Sequence, residues 1–213
     1  MTITQEQQDK ISTLLDHCHL LSGLGSGPEE ACSIAAINLA LNGTLTDSIP
    51  DCMSEVIGRW IIVIQDAMPD SMRNSDEWKS LLPLAAGTGK DKELERQNIC
   101  IQWMWECLTI IQPVADKGGY GKEWLAMTTK KTANAADAAA DAATYAARVA
   151  VDATDAAANA ANAADAAADA ATYDAAYADA VAAAAATAAV DDSNDYWKKV
   201  NPIELLQKLI DCK

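Results

Sequence analysis

The chain has 213 residues, of which 16 are Lys or Arg and 31 are Asp or Glu, giving a formal net charge of −15; half are hydrophobic, six are Cys and none is Phe. A length of this order accommodates one or two domains. The acidic balance excludes a chain that grips phosphate backbones through Lys and Arg, so no nucleic-acid partner is expected. The longest strongly apolar run, Trp60 to Ile64, is far short of the roughly 20 residues that cross a bilayer, so no membrane partner is expected either.

In chain order, residues 4–21 place Ile11, Leu14, Leu15, Cys18 and Leu21 at helical spacing, with Gly23 as a stop. The loop Gly23 to Gly27 leads to Pro28-Glu29-Glu30, where Pro suits a first helical position and the acids suit the positive end of the helix dipole; a second helix is predicted from there to Asn42-Gly43. Ser48 to Asp51 opens a third, with Met53, Val56, Ile57, Trp60, Ile61 and Ile64 inward, and Met68-Pro69 ends it. Ser75, Trp78, Leu81 and Leu82 predict a short fourth helix broken near Pro83 and Gly87. Asp91 to Ile111 is the clearest helix, and the turn Gly118 to Gly121 precedes another around Trp124. No stretch alternates as a strand should.

Residues 133–190 are a different material, with 35 Ala in 58 positions. The segment Asn134 to Tyr145 recurs identically as Asn162 to Tyr173, an offset of four heptads. The heptad positions that are apolar in a coiled coil are hydrophilic here, among them Asn134, Asp137, Asp141, Thr144, Asp165 and Asp169. Tyr145 with Val149, and Tyr173 with Tyr177, form ridges beside that stripe. Ala has the best helix propensity, so a continuous helix over about residues 129–190 is predicted, with its Ala face covered by a second copy or by the rest of the chain. Asn201-Pro202 opens a closing amphipathic helix. The expected fold is all-α: a bundle of five or six helices over 1–126, an Ala/Asp-rich helical segment over 127–195, and a C-terminal amphipathic helix over 196–213.

Chemistry is sparse. His17, Cys18 and His19 follow Asp16, but helix geometry would point the two His in different directions, so no metal is expected; no cofactor is expected. Ala86-Gly87-Thr88-Gly89-Lys90-Asp91 lacks the first Gly and the final Ser or Thr of a P-loop, leaving Thr88 and Lys90 as a looser anion-binding start to a helix. Ser26 sits in a similar Gly-rich loop. The remaining candidate ligand contacts are Arg59 within an apolar helix, Arg73 and Asn74 in a polar loop, and Arg96 with Trp103. For Arg59 the plainer expectation is a structural pair with Glu55 or Asp66. No Ser/His/Asp, Cys/His or paired-carboxylate constellation appears, so an enzyme is not expected. No cleavable leader is recognised at the N-terminus, and the scattered Cys are expected to be reduced in a cytoplasm.

The stretch GSGPEEACSIAAINLALNGTLTDSIPDCMSEVIGRWIIVIQDAMPDSMRNSDEWKSLLPLAAGTGKDKE, followed by an Ala-rich tail, resembles uncharacterised proteins encoded by bacteriophages and prophages. The resemblance covers residues 22–126 and extends to the tail only in composition. It implies a phage accessory protein in the host cytoplasm and carries over no site residue. The function expected is non-enzymatic binding that sequesters a host defence factor or a small anionic, nucleotide-like immune signal, with a virion or scaffold part as the rival. Self-association is expected through the Ala face, with Ala139 and Ala167 in the contact. The tail is also similar in composition to alanine-rich antifreeze helices. Those present Thr every 11 residues, whereas here Thr132, Thr154 and Thr187 fill only three of the six places and Ala143, Asp165 and Ala176 take the others, so ice binding is not expected.

Overall fold

The structure is a computed structural model that describes residues 3–149, 154–170 and 194–212. The chain is all-α, with three short strands among the described residues. Its residues group by contact into two compact units, one of Met1–Gln97 with Pro202–Lys213, the other of Asn98–Asn201. The grouping follows helix contacts and divides inside the clearest predicted helix, whereas the sequence boundary at 126 followed composition.

In the first unit, α1 (Gln5–Leu15) starts in a capping box: the Thr4 side chain accepts from the Gln7 N–H while the Gln7 side chain accepts from the Thr4 N–H. The helix was expected to reach Leu21, but it stops after Leu15, where the His17 and Cys18 N–H groups both fold back to the Leu14 carbonyl. The chain then forms β1 (His19–Leu20), β2 (Gly25–Gly27) and β3 (Glu30–Ala31), in the order β1-β3-β2. β3 pairs parallel to β1 and antiparallel to β2. Gly25 permits this fold: its φ is +89°, and a Cβ there would strike the Glu30 backbone. The residues expected to begin the second helix, Pro28 to Glu30, instead form a turn and a strand. α2 (Ser33–Asn42) begins at Cys32, whose Sγ accepts from the Ala35 N–H at 3.3 Å, and ends as expected on Gly43 at φ +74°.

α3 (Glu55–Ala67) starts seven residues later than Ser48, capped by Ser54 rather than by the loop before it. α4 (Asp70–Arg73) is one turn inside the loop expected to be irregular. α5 (Asp76–Ala85) is capped by Ser75 as predicted and runs through the buried Pro83, which near the end of a helix forgoes a single hydrogen bond. α6 (Glu93–Ile110) passes from one unit to the other. The first unit's core is Ile11, Leu15, Ile34, Ile37, Ile57, Trp60, Ile64 and Trp78, closed by α12 (Pro202–Asp211) through Leu205, Leu206 and Leu209. Trp60 and Trp78 lie 5.9 Å apart, and the Trp78 indole N–H donates to Ser33 Oγ, so the bulk of a Trp enters the core without an orphaned donor.

In the second unit, α7 (Gln112–Gly118) ends on Gly119 at φ +82°, and α8 (Gly121–Lys130) buries Trp124, whose indole donates to the Leu108 carbonyl at 2.8 Å. α11 (Asn194–Val200) and α12 divide the stretch expected to form one C-terminal helix, and α11 buries Tyr196 and Trp197. The Ala-rich segment contains α9 (Ala133–Val149) and α10 (Thr154–Ala170). These two form the most extensive helix contact among the described residues, which a continuous rod over 129–190 could not make. Each is about 25 Å long at 1.5 Å per residue, whereas the four residues between them reach about 17 Å, so they lie antiparallel. Ala136, Ala139, Ala140 and Ala143 on α9, and Ala160, Ala163, Ala164 and Ala167 on α10, are buried. That is the i, i+3, i+4, i+7 pattern of a helix face, twice. Asn134, Asp137 and Asp141 face solvent, as does Asp165. The second repeat's Thr172, Tyr173 and Tyr177, and the predicted helix stop at Asp191 to Ser193, lie outside the described residues.

Candidate functional site

The loop from Ala86 to Asp91 meets an Arg instead of an anion. Arg96 is 2% exposed and donates through Nε to the Leu209 carbonyl at 3.1 Å, and through its two terminal nitrogens to the Gly89 and Thr88 carbonyls at 3.0 and 3.2 Å. A loop that presents carbonyls to a guanidinium is the reverse of a phosphate cradle, which presents N–H groups. The Thr88 hydroxyl accepts from the Ser54 N–H at 3.0 Å and donates to the Ala85 carbonyl at 2.8 Å. Lys90 stands 3.9 Å from an Asp51 carboxylate oxygen at the surface. The anion of this node belongs to the chain itself: Glu93 accepts from the Ser54 hydroxyl and from the Glu55 and Val56 N–H groups, all within 3.1 Å, and so occupies the start of α3. Thr88 and Arg96 therefore meet in a structural clasp, a pairing the sequence reading did not make, since it set Arg96 beside Trp103, while Lys90 stays at the surface with Asp51.

Arg73 and Asn74 form a second clasp. Arg73 is buried and donates to the Leu20 carbonyl at 3.1 Å, the Gln65 carbonyl at 2.6 Å and Asp70 Oδ1 at 3.3 Å. Asn74 accepts from the Leu20 N–H and donates to the Leu20 carbonyl, both at 2.8 Å, so its amide completes the edge of β1 as another strand would. Arg59 pairs with Glu55 at 2.9 Å, the simpler of the two expectations. Ser26 is exposed and its hydroxyl lies 3.4 Å from Glu30. Trp103 belongs to the other unit, where its indole donates to the Val200 carbonyl at 2.8 Å. Ala139 and Ala167, expected to meet a second copy, are fully buried within a single chain because α9 and α10 cover each other's Ala faces.

The five buried thiols are held in their neutral form. Burial pushes the Cys18, Cys32, Cys52 and Cys107 thiols up, and Cys100 up to about 12. Hydrogen bonding from Tyr196 offsets only part of the rise at Cys107. No cluster of His, Cys, Asp and Glu suited to a metal occurs among the described residues. His19 instead faces Asp70 at 3.3 Å.

The described residues of the first unit form a groove of about 630 Å3 between α1, the β2 to β3 turn and α2, and a smaller, more polar one of about 310 Å3 between α1 and α5. Leu14, Pro28 and Ala40 contribute the larger groove's apolar lining, Glu6, Asp9 and Glu29 stand around it, and Lys10, Thr13 and His17 complete it. Lys10 is neutralised by Glu6 at 2.9 Å, which holds the Glu6 carboxyl below its ordinary range. Sequence reasoning placed Leu14 in a core face, and nothing local to Pro28 and Glu29 showed that a small sheet would bring them opposite α1. The second unit has a smaller cavity of about 430 Å3 where α8 meets α9, with Lys122, Lys130, Thr132 and Asn134 in its walls.

The class these features define is an all-α chain in which no described helix is long and apolar enough to cross a membrane. Comparison with protein families, curated proteins and solved structures returns no match for the chain.

Proposed function

We propose that the chain is a non-enzymatic binding protein, in the phage accessory role its sequence resembles, and that it acts by engaging a host polypeptide in the cytoplasm. The observation that carries this reading is the division of labour in the first unit: Arg73, Asn74, Thr88 and Arg96, the groups a small anionic signal would need, are committed to backbone partners. The groove between α1 and α2, by contrast, is open and lined largely by apolar atoms. A polypeptide supplies the apolar side chains that such a lining favours, whereas a nucleotide needs donors for its phosphates.

A photocrosslinking residue at Thr13, on the groove wall, tests this in infected cells. The expected outcome is a discrete crosslinked host polypeptide that is absent when the crosslinker is moved to Asp137 on the exposed stripe of α9. A saturable heat from cyclic or linear nucleotides in calorimetry would favour the anionic-signal reading instead, and turnover of the nucleotide would make the protein an enzyme. Stoichiometric abundance in purified virions would favour the structural alternative.

A further inference from the structure

We infer that the groove between α1 and α2 takes a cationic amphipathic segment of its partner, a stretch of chain whose Arg or Lys stems lie on the groove's apolar lining while their heads meet Asp9 and Glu29. The inference rests on the groove being the binding surface. It adds the chemistry of the occupant.

Three features of the groove select this class. First, the lining contributed by Leu14, Pro28 and Ala40 is apolar and open, so an occupant must bring methylene or methyl groups to gain from it. Second, the charges around it do not cancel. Glu6 and Lys10 neutralise one another at 2.9 Å, leaving Asp9 and Glu29. Asp9 accepts only a neutral hydrogen bond, from Gln5 at 2.9 Å, and neither Asp9 nor Glu29 makes an ion pair among the described residues. Third, the whole chain carries −15, so its long-range field draws a cation in and slows an anion.

A long basic side chain satisfies all three, because its alkyl stem covers apolar surface while its charged head remains hydrated beside a carboxylate. A purely apolar segment would leave two carboxylates partly desolvated without a counter-charge, and an acidic segment would add repulsion to that penalty.

The test measures fluorescence anisotropy of the full-length protein with a labelled helical peptide of about 18 residues, Leu on one face and Arg on the other, in about 0.15 M salt. A Leu/Glu peptide of the same pattern is the counterpart. The expected result is saturable binding of the Leu/Arg peptide only, weakened about tenfold or more by Asp9→Lys with Glu29→Lys. The same change of charge at Asp137→Lys with Asp141→Lys should alter affinity by no more than about twofold. Both pairs of positions are at the surface, so all these variants keep the fold, which circular dichroism checks. Equal weakening by the two pairs would reduce the effect to bulk charge and overturn the inference. Equal binding of the Leu/Glu peptide, or no binding of either, would also overturn it. The Thr13 crosslink then decides separately whether the groove is a binding surface at all.

Discussion

At the scale of single residues, the most informative side chains are the buried cations. A guanidinium has five donors in a rigid fork and cannot be neutralised by deprotonation, so burial forces it to find acceptors. Arg96 finds three carbonyls on two segments far apart in sequence, and thereby ties α12 to the loop before α6. Arg96→Met should leave these carbonyls unmatched and lower unfolding stability by about 3 kcal/mol, visible as a shifted urea midpoint. Arg96→Lys keeps the charge but not the fork, and should fall between. The thiols make a pH prediction whose sign follows from burial. Each buried thiol has a higher pKa folded than unfolded, so its contribution is fully present below the unfolded value near 9.0 and is lost as pH rises toward the folded value, about 12 for Cys100. Stability should therefore fall above pH 9, by up to about 1.4 kcal/mol per pH unit for a thiol as deeply buried as Cys100. Replacing Cys100 and Cys107 with Ala should flatten that limb of a pH series of urea melts, and an unchanged slope would show that other groups set it.

At the scale of elements, what was legible depended on how local the cause was. Ser75, Gly43, Gly119 and Pro202 act on their own helix ends, and each stands where its chemistry predicts. The start of α3 was misplaced because its cap depends on Glu93, a side chain about 38 residues away that no window around Ser54 contains. Glu93→Gln retains the shape and removes the charge facing the helix dipole, so a loss of about 1 kcal/mol is expected by urea denaturation. The end of α1 was misplaced for a similar reason: Leu20 is held in β1 by Arg73 and Asn74, 53 and 54 residues on. Strands of two or three residues are also too short to show alternation. The Ala-rich segment shows the converse case. Its heptad pattern revealed a polar and an Ala face, which the described residues of α9 and α10 carry, but both halves have equal helix propensity, and no Gly or Pro lies between Val149 and Thr154 to divide the predicted helix. Ala139→Glu or Ala167→Glu should now lower the melting temperature of the chain by placing a carboxylate between α9 and α10. Asp137→Ala on the outer face should leave it nearly unchanged, within about 0.5 kcal/mol. Equal tolerance of both substitutions would mean the two helices do not pack as described.

At the scale of the whole molecule, the antiparallel arrangement of α9 and α10 bears on the one activity that composition alone suggests, binding to ice. An ice-binding helix repeats Thr every 11 residues because that spacing is close to three turns, so that successive hydroxyls return to one face about 16.5 Å apart along a single axis. Here the series begins at Thr132, which precedes α9, and continues at Thr154, which opens α10. The two residues thus stand before one helix and at the start of another that runs in the opposite direction, so their spacing in sequence no longer sets their spacing in space. The position between them, Ala143, is buried, so the register that puts Thr132 at the surface turns inward one repeat later. One repeat beyond Thr154 stands Asp165, a hydrated carboxylate at the surface. A flat, sparsely hydrated plane cannot be built from these positions. The expected measurement is zero thermal hysteresis in nanolitre osmometry and round ice discs at millimolar protein. Facetted crystals under those conditions would overturn this expectation.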